Sequence, residues 1–168
     1  MNASANPKTG LRPFLPADTP VVAAIFRASI EELTEDDYNP AQQEAWASLA
    51  DDEEAFGEKL GKELTLIATF DGAPIGFAAL EGNSIIDMLY VHPAAAGRGV
   101  ATTLYDALEK LAAARGATEL KVHASDTARE FFAHRGFVAQ QRSTLSVGNE
   151  WLGSTTMKKP LAPKEGGQ

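Results

Sequence analysis

The chain of 168 residues contains no cysteine. That excludes disulfides, thiolate metal sites and a cysteine nucleophile, so any chemistry runs on oxygen, nitrogen or a bound group. Histidine is nearly as scarce: His92, His123 and His134 are scattered, and no metal site is expected. There is no long uncharged apolar run, and residues 1–10 carry no apolar segment. Neither a membrane span nor a secretory leader is therefore expected, and the expected location is cytoplasmic. Positive charge is in deficit. A formal net charge of -8 disfavours nucleic acid and anionic membranes as partners, since both are held through clustered Lys and Arg, and it tilts the balance toward amines. The acidic runs Glu35-Asp36-Asp37 and Asp51-Asp52-Glu53-Glu54 read as solvated helix ends and loops.

What remains is an ordinary globular composition, large enough for one domain with a proper core. Residues 1–10 and 162–168 read as flexible termini around an ordered domain at 11–161. A first strand is expected at 11–14, then a helix capped by Asp18 with Val21, Val22, Ile25 and Ile30 at helical spacing. A second helix begins near Pro40 and a third covers 55–60. The period then changes to that of strands at 64–70, 75–80 and 85–91, joined by the turns Asp71-Gly72 and Glu81-Gly82-Asn83 as an antiparallel meander. Val100, Leu104, Leu108 and Leu111 trace one face of a helix that stops at Gly116. A strand at 120–123, a short helix at 126–135 and a hairpin of 138–147 with 151–158 complete the chain. The fold class is α/β (α+β), with the helix after the fourth strand crossing over to a parallel fifth.

The informative stretch is Val91-His92-Pro93-Ala94-Ala95-Ala96-Gly97-Arg98-Gly99-Val100-Ala101, where a strand breaks into a glycine loop that opens straight into a helix. Glycines at 97 and 99 let a ligand approach the backbone, and the first helical turn offers unpaired N–H groups at the positive end of the helix dipole. A phosphate or pyrophosphate fits such a cradle. A mononucleotide-binding domain is the poorer reading, because neither the P-loop lysine nor the dinucleotide fingerprint is present.

Ile86-Asp87-Met88-Leu89-Tyr90-Val91-His92-Pro93 followed by Ala96-Gly97-Arg98-Gly99-Val100-Ala101 resembles the signature of the GNAT superfamily of acyl-CoA-dependent N-acyltransferases. Ala124-Ser125-Asp126, then Ala128-Arg129-Glu130-Phe131-Phe132 and Arg135-Gly136-Phe137, are similar to that family's later block. Leu11-Arg12-Pro13-Phe14 and Met157-Lys158-Lys159 suit its ends. The resemblance implies a central seven-stranded, mixed but mostly antiparallel sheet flanked by helices. It implies acetyl-CoA as co-substrate, with transfer of the acetyl group directly to a primary amine of a small molecule or peptide. It also implies that the backbone at Leu89, Tyr90 and Val91 engages the acetyl and pantetheine parts, and that Gly97, Arg98, Gly99, Val100, Ala101 and Thr102 hold the pyrophosphate. Asn39-Pro40-Ala41-Gln42-Gln43-Glu44-Ala45-Trp46 is similar to a bacterial subgroup whose acceptors are poorly defined.

Two departures stand out. Ala96 occupies a position where the family usually has Gln or Arg, and Phe132 stands where it commonly has the tyrosine that protonates the leaving thiolate. The second motivates an alternative, a non-catalytic acyl-CoA-binding or sensing module. Asp87 is the candidate base, since it shares strand parity with Leu89 and Val91, with a hydrogen-bonded structural acid as the alternative. Glu81 reads as a solvated surface residue. His123, at the end of the fifth strand, is either a proton shuttle or a packed residue. Ser125 and Asp126 are either helix caps or pantetheine contacts, Phe131 is core, and Phe132 is pocket wall. Tyr38, Gln42 and Trp46 recur on one helical face, where Tyr38 and Trp46 either shape an acceptor pocket or pack on the sheet. The final hairpin offers a surface for a homodimer.

Overall fold

A computed structural model describes residues 8–161. Seven strands form one sheet in the order β1-β2-β3-β4-β5-β7-β6. They are β1 (Thr9–Pro13), β2 (Leu64–Phe70), β3 (Ala73–Glu81), β4 (Ile85–Val91), β5 (Glu119–Ser125), β6 (Val138–Val147) and β7 (Glu150–Pro160). All neighbours are antiparallel except β4 and β5. β1 begins earlier than expected, with Thr9 and Gly10 paired to Phe70 and Thr69. Residues 1–7 and 162–168, expected as flexible termini, lie outside the described residues.

Two helical layers cover the sheet because the strands bury both faces. On one side α1 (Thr19–Leu33) sends Val22, Ile25, Phe26 and Ile30 against Ile67, Phe77 and Ala79, joined there by Phe56 and Leu60 of α3 (Glu53–Lys62). On the other, α4 (Val100–Ala114) buries Val100, Leu104, Tyr105, Leu108 and Ala112 against Ala78, Leu80, Leu120 and Val122. Burying such side chains contributes about 1.5–3 kcal/mol each, which fixes both layers. α5 (Arg129–Ala133) is shorter than the expected 126–135, because the chain turns at 126–128 before entering it. Asp18 sits at the α1 N-cap but makes no capping bond there. Its carboxylate instead takes both arms of Arg12 at 2.8 Å and the Leu15 amide at 2.8 Å, tying β1 to the start of α1.

Two irregularities position the site. Among the described residues, β4 and β5 pair only at Ile85 with Lys121 and Ile86 with Val122, after which the strands separate. β4 also carries a bulge: Ala79 pairs with Met88 and Leu80 with Ile86, so Asp87 has no partner on β3. The extra residue resets the alternation. Ile86 and Leu89 pack on the α4 side, while Met88 and Tyr90 pack on the α1 side. The expected parity of Asp87 with Leu89 and Val91 therefore fails, and Asp87 turns toward α3.

Candidate active site

The opening between β4 and β5 leaves one edge of β4 unpaired beyond Ile86, and two joined clefts of about 370 and about 350 Å3 fill the gap. Trp46, Leu89, Tyr90, Ser125, Ala128 and Phe132 line both, so the space is continuous.

The smaller cleft ends at the glycine loop. Gly97 and Gly99 have φ of 77° and 81°, left-handed conformations that favour glycine, and a Cβ at either would meet no atom within 4 Å. The loop is open to a ligand. The first helical bond of α4 runs from the Thr103 amide to the Gly99 carbonyl at 3.0 Å. The amides of residues 97–102 therefore have no hydrogen-bond partner among the described residues. Six unpartnered donors and the positive end of a helix dipole suit an anion. Val91, Val100, Ala101 and Thr102 also line this cleft, while the Thr102 hydroxyl is held by the Arg135 guanidinium. Arg98 is absent from the lining and lies over the Phe70 ring at 5.9 Å, so its side chain is placed away from the cradle. The residues fit a diphosphate at the loop and an extended amide chain along the free β4 edge.

The larger cleft reaches the α3 side and the β6–β7 hairpin. Tyr38 precedes α2 (Pro40–Ala47) rather than lying on it, since Asn39 is the cap: its side chain accepts from the Gln42 amide at 2.8 Å, and Gln42 returns the contact at 2.9 Å. The shared helical face of Tyr38, Gln42 and Trp46 is thus not formed. Tyr38 and Trp46 still meet, edge to face at 5.4 Å, in the cleft wall. The Tyr38 hydroxyl accepts from the Asp126 amide at 2.8 Å and donates to the Gly153 carbonyl at 2.7 Å. This joins the α1–α2 connection to the β5–α5 turn and to β7. Burial raises the Tyr38 phenol above its ordinary pKa.

Asp87 opens onto this cleft beside Lys59, whose Nζ lies 3.0 Å from Asp87 Oδ2 without hydrogen-bond alignment. Burial works against the Lys59 ammonium, but Asp87 and its neighbours outweigh it and raise the pKa. Behind Asp87 stand Glu63 and Glu81, with oxygens of all three carboxyls within 4.8 Å of one another. Glu81 is exposed, as expected, yet belongs to this cluster. Three carboxyls so placed attract a cation, and Lys59 supplies one. Burial, then the nearby Asp87 carboxylate, push the Glu63 carboxyl up to about 8. Lys59 and Glu63 carry no motif or period in the sequence that marks them as site residues.

His123 lines the same cleft, two residues short of the end of β5, with Nδ1 3.0 Å from Thr156 Oγ1. The Ser125 hydroxyl accepts from the Ala128 amide at 3.1 Å, closing the turn that leads into α5; the N-cap itself is Ala128 and carries no side-chain capping bond, so neither Ser125 nor Asp126 caps the helix. Asp126 points instead to Arg142, at 2.6 and 3.0 Å, which holds its carboxyl below the ordinary range. Phe132 is 3% exposed and edge-on to Phe131, Phe137 and Tyr105, a wall with no proton to give.

The split β4–β5 pair and the glycine loop at the start of α4 stand where the resemblance to acyl-CoA-dependent N-acyltransferases implies a cofactor site. Residues 34–161 match the family model of the acetyltransferase (GNAT) domain, and the chain belongs to that family. It is similar to the uncharacterized N-acetyltransferase YafP of Escherichia coli, 32% identical over 88% of this chain and 93% of that one. A GCN5-related N-acetyltransferase from Rhodopseudomonas palustris superposes with a TM-score of 0.91 at 62% identity, covering 93% of this chain and 98% of the other. The PaiA N-acetyltransferase of Thermoplasma acidophilum, solved with coenzyme A, shares the fold at a TM-score of 0.75 and 19% identity, over 92% and 99% of the two chains.

Proposed function

We propose that this protein moves an acetyl group from acetyl-CoA to a primary amine of a small molecule or peptide, in one direct transfer. The observation that carries the reading is the set of unpartnered amides at 97–102 continuous with the free edge of β4. The coenzyme A complex of the Thermoplasma relative supports the choice of ligand. Acetyl-CoA supplies the acetyl group as an activated thioester. The amides of residues 97–102 receive its diphosphate, and the free β4 edge at Leu89, Tyr90 and Val91 receives the pantetheine amides. Leu89 and Phe132, which line both clefts, would flank the thioester.

The acceptor enters by the larger cleft, whose walls of Trp46, Leu49, Met88 and Leu145 are apolar. An ammonium must lose a proton before it attacks a carbonyl, and Asp87 is the carboxylate facing the cleft that takes it. The bulge gives Asp87 that aim by turning it out of the strand ladder. With Phe132 in the tyrosine's place, the leaving thiolate takes its proton from the cleft's solvent. The experiment is CoA release from acetyl-CoA over a set of primary amines. Amine-dependent release supports transfer, whereas acetyl-CoA binding without release under any amine supports the acyl-CoA-binding module that Phe132 suggests.

A further inference from the structure

Glu63 Oε1 and Asp87 Oδ2 are both buried and make no hydrogen bond among the described residues; Lys59 Nζ lies 3.0 Å from Asp87 Oδ2 as an ion pair, while Glu63 Oε1 has no such partner. The two oxygens belong to neighbouring carboxyls in the cluster behind the cleft, one at the end of α3 and the other on the β4 bulge. Two ionised carboxylates so placed repel each other, and because Lys59 pairs with Asp87, a charged Glu63 would also leave its buried acceptor unsatisfied. A single proton relieves both, because a protonated carboxyl donates where a carboxylate only accepts.

We propose that Glu63 and Asp87 share one proton at neutral pH, carried on Glu63, and that Glu63 is thereby a positioning residue holding the Asp87 carboxylate toward the acceptor cleft. The inference rests on the reading of Asp87 as the base. Three charged groups face Glu63: Lys59 from α3, Asp87 from β4 and Glu81 from β3. Of the four, Lys59 and Asp87 line the cleft, so an acceptor meets Asp87 and not Glu63. The Glu63 carboxyl, raised to about 8, keeps its proton through the neutral range. In the transfer the acceptor ammonium gives one N–H proton to Asp87 and retains the electron pair that attacks the thioester carbonyl; as the C–S bond breaks, the new amide nitrogen loses its second proton to the cleft's solvent and the CoA thiolate takes one from it. Glu63 remains the acid throughout, and the proton on Asp87 passes to solvent on the side of the exposed Glu81.

The test follows the glutamate carboxyl carbons by carbon-13 NMR from about pH 4 to about pH 10 in the wild type, Glu63→Gln and Asp87→Asn. One glutamate should titrate at about 8, vanish in Glu63→Gln, and move down in Asp87→Asn, which removes the neighbouring charge. Glutamates that all titrate in the ordinary range, or an elevated midpoint indifferent to Asp87→Asn, would overturn the shared proton. The positioning role is read from acetyl-CoA turnover with tyramine, spermidine and a lysine-containing peptide as acceptors. Wild-type turnover should decline above about pH 8, as Glu63 loses the proton that holds Asp87 in place; Glu63→Gln, which keeps a donor and carries no charge, should retain kcat and lack that decline. Glu63→Ala should lower kcat by about tenfold or more with KM little changed, as for a misaimed catalytic group. Glu63→Gln as slow as Glu63→Ala, or with the same upper limb as wild type, would overturn it. Failure of the underlying reading shows differently, as no CoA release with any amine or no effect of Asp87→Asn, while the NMR midpoints still decide the pairing.

Discussion

Replacing Tyr38 with Phe removes a single oxygen and asks what one hydroxyl contributes to the site. That oxygen accepts from the Asp126 amide at 2.8 Å and donates to the Gly153 carbonyl at 2.7 Å, in a side chain only 5% exposed. Each bond contributes about 1 kcal/mol net, and stranding a buried partner adds a similar amount. Asp126 and Gly153 are half-buried, so water replaces part of what is lost. The expected cost is about 2 kcal/mol, or roughly 4–8 °C in Tm for a domain of this size. Scanning calorimetry measures it, and amide exchange at Asp126 should quicken by the same free energy. Acetyl-CoA affinity should change little, since the glycine loop is untouched, while the acceptor KM rises as the α1–α2 connection loosens from β7. A Tyr38→Phe protein within about 0.5 kcal/mol of wild type, the range of an ordinary surface change, would refute the reasoning.

Three further expectations concern the charged cluster and the loop. Asp87→Asn should lower turnover by about 100-fold or more without weakening acetyl-CoA binding, and an unchanged pH-rate profile would remove Asp87 as base. Glu63→Gln should stabilise the fold increasingly as pH rises. The folded pKa of about 8 lies above the unfolded value, so the folded state binds the extra proton and Glu63 costs stability from the ordinary carboxylate range up through about 8. The gain at alkaline pH should be about 1–2 kcal/mol once solvent screening of a half-exposed group is allowed for, vanishing near pH 4 in denaturant titrations. Gly99→Glu should cost about 1–2 kcal/mol of stability from the left-handed backbone at that position, leaving the far-UV spectrum intact.

Much of the fold was legible because its signals are local. The strand period at 64–70 and 85–91 and the helix opening at Val100 each lie within one window of sequence, and the observed bounds of β2, β4 and α4 agree. The glycine loop was legible for the same reason. Asp87 shows the limit: alternation reads equally well on either side of an extra residue, so nothing in Ile86-Asp87-Met88 announces a bulge that reverses which face follows. Lys59 and Glu63 reach Asp87 only after α3 folds against the sheet, and their neighbourhood has no sequence period. Tyr38 bonds a carbonyl 115 residues away, so it looked like one more helix-face aromatic. Arg98 follows from geometry as well, since Phe70 draws its guanidinium aside.

On the proposed function, residues 97–102 and the free β4 edge form an acyl-CoA site. Calorimetric titration with acetyl-CoA, with CoA, ATP and NAD in parallel and Gly99→Glu as control, tests it most directly. Saturable one-site binding of acetyl-CoA and CoA is expected, weakened at least about 100-fold by the carboxylate that Gly99→Glu places in the anion cradle. Preferential binding of ATP or NAD, or full affinity for acetyl-CoA in the folded Gly99→Glu protein, would contradict it.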